Sequence, residues 1–195
     1  GADTTLLLVT ASVVAVLLLF TYRSPVLWMI PLTVVAVADR FAAVVASHTL
    51  NGLDMGWNES TVGILSVLVF GAGTNYALLL ISRYRDELRT THDRWAAMRH
   101  ATRRTAEAVL ASAATVVVGV LTLLLSIVPS TRALGLACAL GIVIAAAFVL
   151  LLLPPILATF GRWVFWPKVP AVGSTQLVDG HGLWRRIGDQ VARRP

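Results

Sequence analysis

Long apolar runs, each near or above the roughly 18 residues that cross a bilayer, make up most of this chain, and nearly all its basic residues fall between or beyond them. Only 13% of the residues are charged and 57% are hydrophobic. A soluble domain carries roughly 25% charged residues, so this chain lacks the groups to cover a water-facing surface of ordinary size. A soluble helical bundle is therefore set aside. The sequence specifies an all-α, polytopic membrane helical bundle.

The pattern predicts five spans, at about 5–22, 26–50, 60–82, 107–128 and 131–160. Pro31 lies near the start of the second, where a proline costs least. Asn58-Glu59-Ser60 opens the third in the manner of a helix cap; the same triplet is a glycosylation sequon, but it touches the membrane. The fourth stops before Pro129, and the fifth is expected to kink at Pro154-Pro155 before Phe160.

Basic residues mark the cytoplasmic side of a membrane protein. Of the 16 Lys and Arg, all but Arg40 and Arg132 fall in the turn after the first span, the stretch between the third and fourth, or the tail after Gly161. Those three segments share one side if the spans alternate. The N-terminus of the chain is thus expected outside and its C-terminus in the cytoplasm. A chain that enters a span almost at once with its start outside implies an extracytoplasmic domain and another span upstream. Topology and anionic lipid headgroups account for the net charge of +6 without nucleic acid.

Within the basic stretch, Leu88, Trp95, Met98 and Ala101 recur at helical spacing, which predicts an amphipathic interfacial helix over about 85–105. It is either a connector lying on lipid or a partner site. The segment Pro170 to His181 is rich in breakers and reads as a linker. Leu183, Trp184, Ile187 and Val191 then form an apolar stripe, a second interfacial helix. The expected division is a transmembrane domain over about 1–166 and, over about 167–195, a cytoplasmic linker with the start of a second half.

Ionisable groups inside spans are functional candidates, because each costs roughly 2.5 to 3.5 kcal/mol at the middle of the membrane. Asp39 and Arg40 lie deepest. Helix neighbours point about 100° apart, so each needs a partner from another helix or water. They form either a proton- or ion-linked pair or a structural pair that holds two helices in register. The third span carries Gly71-Ala72-Gly73-Thr74-Asn75-Tyr76. Small residues there let helices approach, and the polar side chains can bond across the contact. At 1.5 Å per residue, Asn75 lies roughly 22 Å and Asp39 roughly 16 Å from the outer ends of their spans. Thr33 and Thr115 fall near the depth of Asn75, with Ser112 slightly deeper toward the cytoplasm. Such a layer fits a relay or a packing interface equally well.

No enzymatic constellation is visible. The four histidines are scattered, no His-Glu-x-x-His occurs, and Cys138 is the only cysteine, so neither a metal nor a cofactor is expected.

The run from Gly73 to Leu88 (GTNYALLLISRYRDEL) resembles the fourth transmembrane helix and following loop of the MMPL proteins, bacterial members of the resistance-nodulation-division (RND) superfamily. The region from Arg132 to Trp166, with Gly135, Gly141, Pro154, Pro155 and Phe165-Trp166-Pro167, is similar to that family's sixth helix and exit. The chain then corresponds to helices two to six of one RND-type half, with Gly71, Gly73, Gly135 and Gly141 as helix-packing positions. The resemblance implies a protein of two repeated halves, each with a large extracytoplasmic domain, that exports lipids, other hydrophobic compounds or drugs on proton influx. Its implied partners are membrane lipids, the second half and extracytoplasmic domains of the same protein, a hydrophobic substrate, and further copies in an oligomer. The family's proton site is an Asp-Tyr pair in the fourth helix. Here Tyr76 matches, but Asn75 stands where Asp is expected, and an amide cannot cycle a proton. Either the second half carries the relay, or Asp39 takes it over, or coupling is weakened. A scaffold or sensor on the same helices, and a translocation auxiliary of the SecDF kind, are the alternative functions.

Overall fold

The computed structural model describes residues 25–56, 58–161 and 165, with side chains from residue 29 onward. The first expected span, the second interfacial helix and all of 167–195 lie outside the described residues. Those described are helical throughout apart from short connections, with no strand among them. Helix α1 covers Pro25–Gly52, α2 Glu59–Thr90, α3 Arg94–Leu121, α4 Pro129–Ala147 and α5 Leu153–Phe160. A 3-10 turn, Thr122–Leu125, extends α3, and a π-helical segment, Phe148–Leu152, joins α4 to α5. Four stretches are long and apolar enough to cross a membrane: Met29–Gly52, Glu59–Thr90, Arg94–Leu125 and Pro129–Phe160.

Each boundary has a local cause. Asn58 is the N-cap of α2: its side-chain oxygen accepts from the Thr61 backbone N–H at 2.8 Å and the Thr61 hydroxyl at 2.9 Å. That satisfies a donor which helix geometry leaves orphaned. Asp93 does the same for Trp95 at the start of α3. Pro129 opens α4 at a position where its missing N–H costs nothing. Arg132, one of the two basic residues outside the basic segments, donates from Nε to the Ser126 carbonyl and satisfies the turn between α3 and α4.

Two expectations are corrected. Pro31 lies inside α1, well past its first turn, because the helix starts at Pro25. The irregularity before Phe160 precedes the proline pair: the Leu153 N–H reaches back five residues to the Phe148 carbonyl. Pro154 and Pro155 cannot donate to the preceding turn and their rings crowd it, so the turn widens ahead of them.

The four long helices run alternately up and down. α4 packs against α1, α2 and α3, and α2 likewise touches all three others, so α1 and α3 flank a central α2–α4 pair. α4 can fill this place because its inward residues are small: Ala133, Gly135, Ala137, Cys138, Gly141, Ala145 and Ala146 are all buried. A Cβ at Gly141 would stand 2.8 Å from Val69 of α2.

The amphipathic stretch over 85–105 is not a separate helix. It is divided between the end of α2 and the start of α3, with a break only at residues 91–93. With 32 and 28 residues, these helices extend about 48 and 42 Å, beyond a hydrocarbon core of about 30 Å. Leu88, Met98 and Ala101 are buried in one cluster with Tyr84, Leu157 and Phe165, so protein covers this apolar stripe. Trp95 alone of the stripe is exposed.

Candidate functional site

Asp39 sits at the middle of α1, 5% exposed, and its Oδ1 has no hydrogen-bond partner. Among the described residues it is the only buried Asp, Glu, Lys, Arg or His. Val35, one turn earlier, packs at 3.0 Å from where a Cβ on Gly73 would lie. Because α1 and α2 are antiparallel, this contact sets Asp39 about one turn from Gly73 toward the start of α2, near the level of Val69. Val35, Ala38 and Ala42, which flank it along α1, are buried too, on a helix that packs against both α2 and α4. Arg40 points outward and is exposed, so the adjacent acid and base do not pair.

The six-residue polar centre of α2 splits between two faces. Tyr76 is 3% exposed, inside the cluster that holds Val34, Ala77 and Leu80. Asn75, about 100° round the helix from it, is exposed, without a hydrogen bond among the described residues. The same outward face carries a shallow apolar groove of about 480 Å³ along Gly63, Val67 and Gly71, ending one turn before Asn75. Gly71, expected to pack a helix, has nothing within 4 Å of a Cβ position, whereas Gly73, Gly135 and Gly141 each meet a neighbouring helix or turn closely. Gly71 and Gly73 are two residues apart and so look in different directions.

Thr33, Ser112 and Thr115 are also exposed. Thr33 donates to the Met29 carbonyl at 2.8 Å and Thr115 to the Ala111 carbonyl at 2.9 Å, so each satisfies its hydroxyl within its own helix. The layer read from depth therefore does not converge inside this bundle. Asp39 and Tyr76 face in; Arg40, Asn75, Thr33, Ser112 and Thr115 face out. Among the described residues no three His, Cys, Asp or Glu side chains are placed to hold a metal.

Sequence reasoning missed two buried hydroxyls on α3, those of Thr102 and Thr105, which lack hydrogen-bond partners. Their spacing of three residues on the face that also holds Met98, Ala101 and Val109 was the available signal.

The whole chain, residues 1–195, matches the family model described as MMPL family. The chain belongs to the MMPL family. It is 44% identical to the membrane protein ActII-3 of Streptomyces coelicolor, matched over 100% of this chain and 27% of that protein. It is 36% identical to the apo-petrobactin exporter of Bacillus anthracis, over 100% of this chain and 28% of that one. The transport protein MmpL10 of Mycobacterium leprae is 30% identical, over 98% of this chain and 19% of its own length. The chain thus spans about a quarter of the first two relatives and less of the third. MMPL membership and the four apolar helices place the chain in a membrane, among proteins named for transport rather than for catalysis.

Proposed function

We propose that the chain is the main transmembrane part of one half of an exporter that moves lipids, other hydrophobic compounds or drugs outward on proton influx across the bacterial cell membrane. The stretch before its first span lies outside and its tail in the cytoplasm, as the basic residues favour. The observation that carries this reading is the outward face of α2. Asn75 stands at the end of an apolar groove floored by Gly63 and Gly71, on a side that no described helix covers. A helix of the second half, seated there, would bring its own polar residue to Asn75. The amide can donate to a carboxylate and accept from a protonated carboxyl, so it can attend an acid in both states while carrying no proton itself. Names of relatives, one an exporter of apo-petrobactin, support outward transport.

A second reading rests on Asp39, whose buried, unpartnered oxygen makes it the one candidate acid within the described bundle. The two are separated in full-length protein by following transport of a fluorescent hydrophobic amine into inverted vesicles under an imposed pH gradient, the direction that corresponds to efflux from the cell. Loss of efflux on replacing the second half's intramembrane acid by its amide, with efflux kept in Asp39→Asn, supports the first reading; the reverse pattern supports the second. A wild-type protein whose transport ignores the proton gradient overturns both, and one that moves no substrate at all favours a scaffold or sensor.

A further inference from the structure

At the basic end of the bundle, α3 and the proline pair enclose a groove of about 410 Å³. One wall is the start of α3, with Trp95, Met98, Arg99, Thr102 and Arg103; the other is Pro154 and Pro155. The groove follows from the chain chemistry already described. Two consecutive residues without N–H groups force the π-helical turn, and the ring atoms that replace those donors present an apolar wall. Met98 and Pro154 are buried at its base, and its floor is apolar.

Its rim is basic. Arg99 and Arg103 are one helical turn apart, both exposed, and neither has an ion-pair or hydrogen-bond partner among the described residues. Among the described residues, nearby groups do not neutralise them. Arg94 is engaged with the Thr159 carbonyl at 3.3 Å and lies 6.0 Å from the Trp95 ring. Asp93 is occupied in capping α3. Glu107 is the nearest acid further along α3; it is exposed and does not line the groove. His100 and Arg104 add two more basic side chains on adjoining faces.

Depth identifies the occupant. Counting from Leu125, Arg103 stands about 33 Å and Arg99 about 39 Å along the helix, just beyond a hydrocarbon core of about 30 Å. That is the headgroup layer. A groove at headgroup level whose rim carries two guanidinium groups without partners among the described residues matches an anionic phospholipid: phosphate on the arginine pair, acyl chains running from there along α3 toward the bilayer centre, and the headgroup beside Met98 and Trp95. We propose that this groove is a binding site for an anionic phospholipid. Thr102, whose buried hydroxyl has no hydrogen-bond partner, also lines the groove. The site is independent of the transport direction and of where the protons pass.

The test uses full-length protein in detergent, titrated with dioleoyl phosphatidylglycerol or dioleoyl phosphatidylcholine and read by native mass spectrometry. Arg99→Gln/Arg103→Gln is expected to weaken phosphatidylglycerol binding by about tenfold or more and to leave phosphatidylcholine binding unchanged. The charge-matched control Arg83→Gln/Arg104→Gln alters two exposed arginines that do not line the groove, and is expected to change it less than about twofold. Trp95→Ala, which removes wall area without touching charge, is expected to weaken both lipids together. Equal loss in the two double variants would mean diffuse attraction rather than a site, and would overturn the proposal. So would competition by glycerol phosphate at the same concentration as the lipid, which would make the groove a free-phosphate site. Retention of full phosphatidylglycerol affinity in Arg99→Gln/Arg103→Gln also overturns it.

Discussion

Gly135 of α4 lies so close to Val120 of α3 that a Cβ on residue 135 would stand 2.7 Å from the Val120 carbonyl oxygen. The same atom would be 2.8 Å from Leu123 Cβ. Neither obstacle is the far end of a flexible side chain, so relief requires the helices to move apart. Gly135→Ala in the full-length protein is expected to cost about 1 to 3 kcal/mol, the range for overpacking a close contact. Gly119→Ala is the control: nothing lies within 4 Å of its Cβ position. There the better helix former should be neutral or stabilise by up to about 1 kcal/mol. Thermal midpoints in detergent check the pair, and a midpoint for Gly135→Ala at or above that of Gly119→Ala contradicts the packing described.

Asn58 caps α2 with a double acceptance from Thr61, whose own side chain is buried. Asn58→Ala is expected to destabilise by about 1 kcal/mol, and Asn58→Asp or Asn58→Ser to recover most of it, since any short acceptor can serve the same N–H. A glycan at Asn58 would compete for the side chain that makes this cap. Chemical denaturation of the three variants is the measurement, and equal stability of Asn58→Ala and wild type would remove the cap from the account.

Much of this architecture was legible because hydrocarbon imposes long helices. Four of the five expected spans fall within the described residues and each is found; the cap at Asn58 and the stop before Pro129 follow from residue chemistry at those positions. What the sequence withholds is azimuth. Lipid and protein neighbours are both apolar, so hydrophobic periodicity cannot say which face of a span points inward. Thr33, Asn75, Ser112 and Thr115 share a depth and were grouped on that basis, yet all four turn out of the bundle. Leu88, Met98 and Ala101 show the same ambiguity in reverse: the stripe was visible, but not that α5 and Phe165 rather than lipid would cover it. Gly71 and Gly73 read alike in sequence, and only the helix phase separates a contact from an open groove.

That open groove yields the next expectation. Among the described residues a Cβ on Gly71 meets no neighbour within 4 Å and an open groove runs beside it, so a half standing alone is expected to accept Gly71→Leu. If a helix of the second half is seated along Gly63 and Gly71, the added side chain must push it away. In full-length protein Gly71→Leu is therefore expected to lower efflux at least about fivefold and to cost about 1 to 3 kcal/mol. Val118→Leu, on an exposed position of α3 outside the groove, should do neither. Efflux and thermal midpoint are read on the same preparation. Wild-type values for Gly71→Leu would mean that lipid, not protein, covers this face.

Asp39 poses a sharper question, because its cost can be removed without changing its shape. A carboxyl with one oxygen unpartnered, at the centre of a span, forfeits hydration that nothing described in the bundle replaces. Asp39→Asn keeps the side-chain volume and deletes the capacity to ionise, so stability is expected to stay level or rise by up to about 1 kcal/mol. Asp39→Lys puts a longer, basic side chain at this buried position, with either a cation or an unpaired amine to bury, and is expected to cost at least about 3 kcal/mol. With the proton path in the second half, Asp39→Asn keeps at least half of wild-type efflux. A variant that is as stable as wild type but no longer transports would instead place the proton on Asp39. Stability and efflux together distinguish that outcome from misfolding, which would lower both.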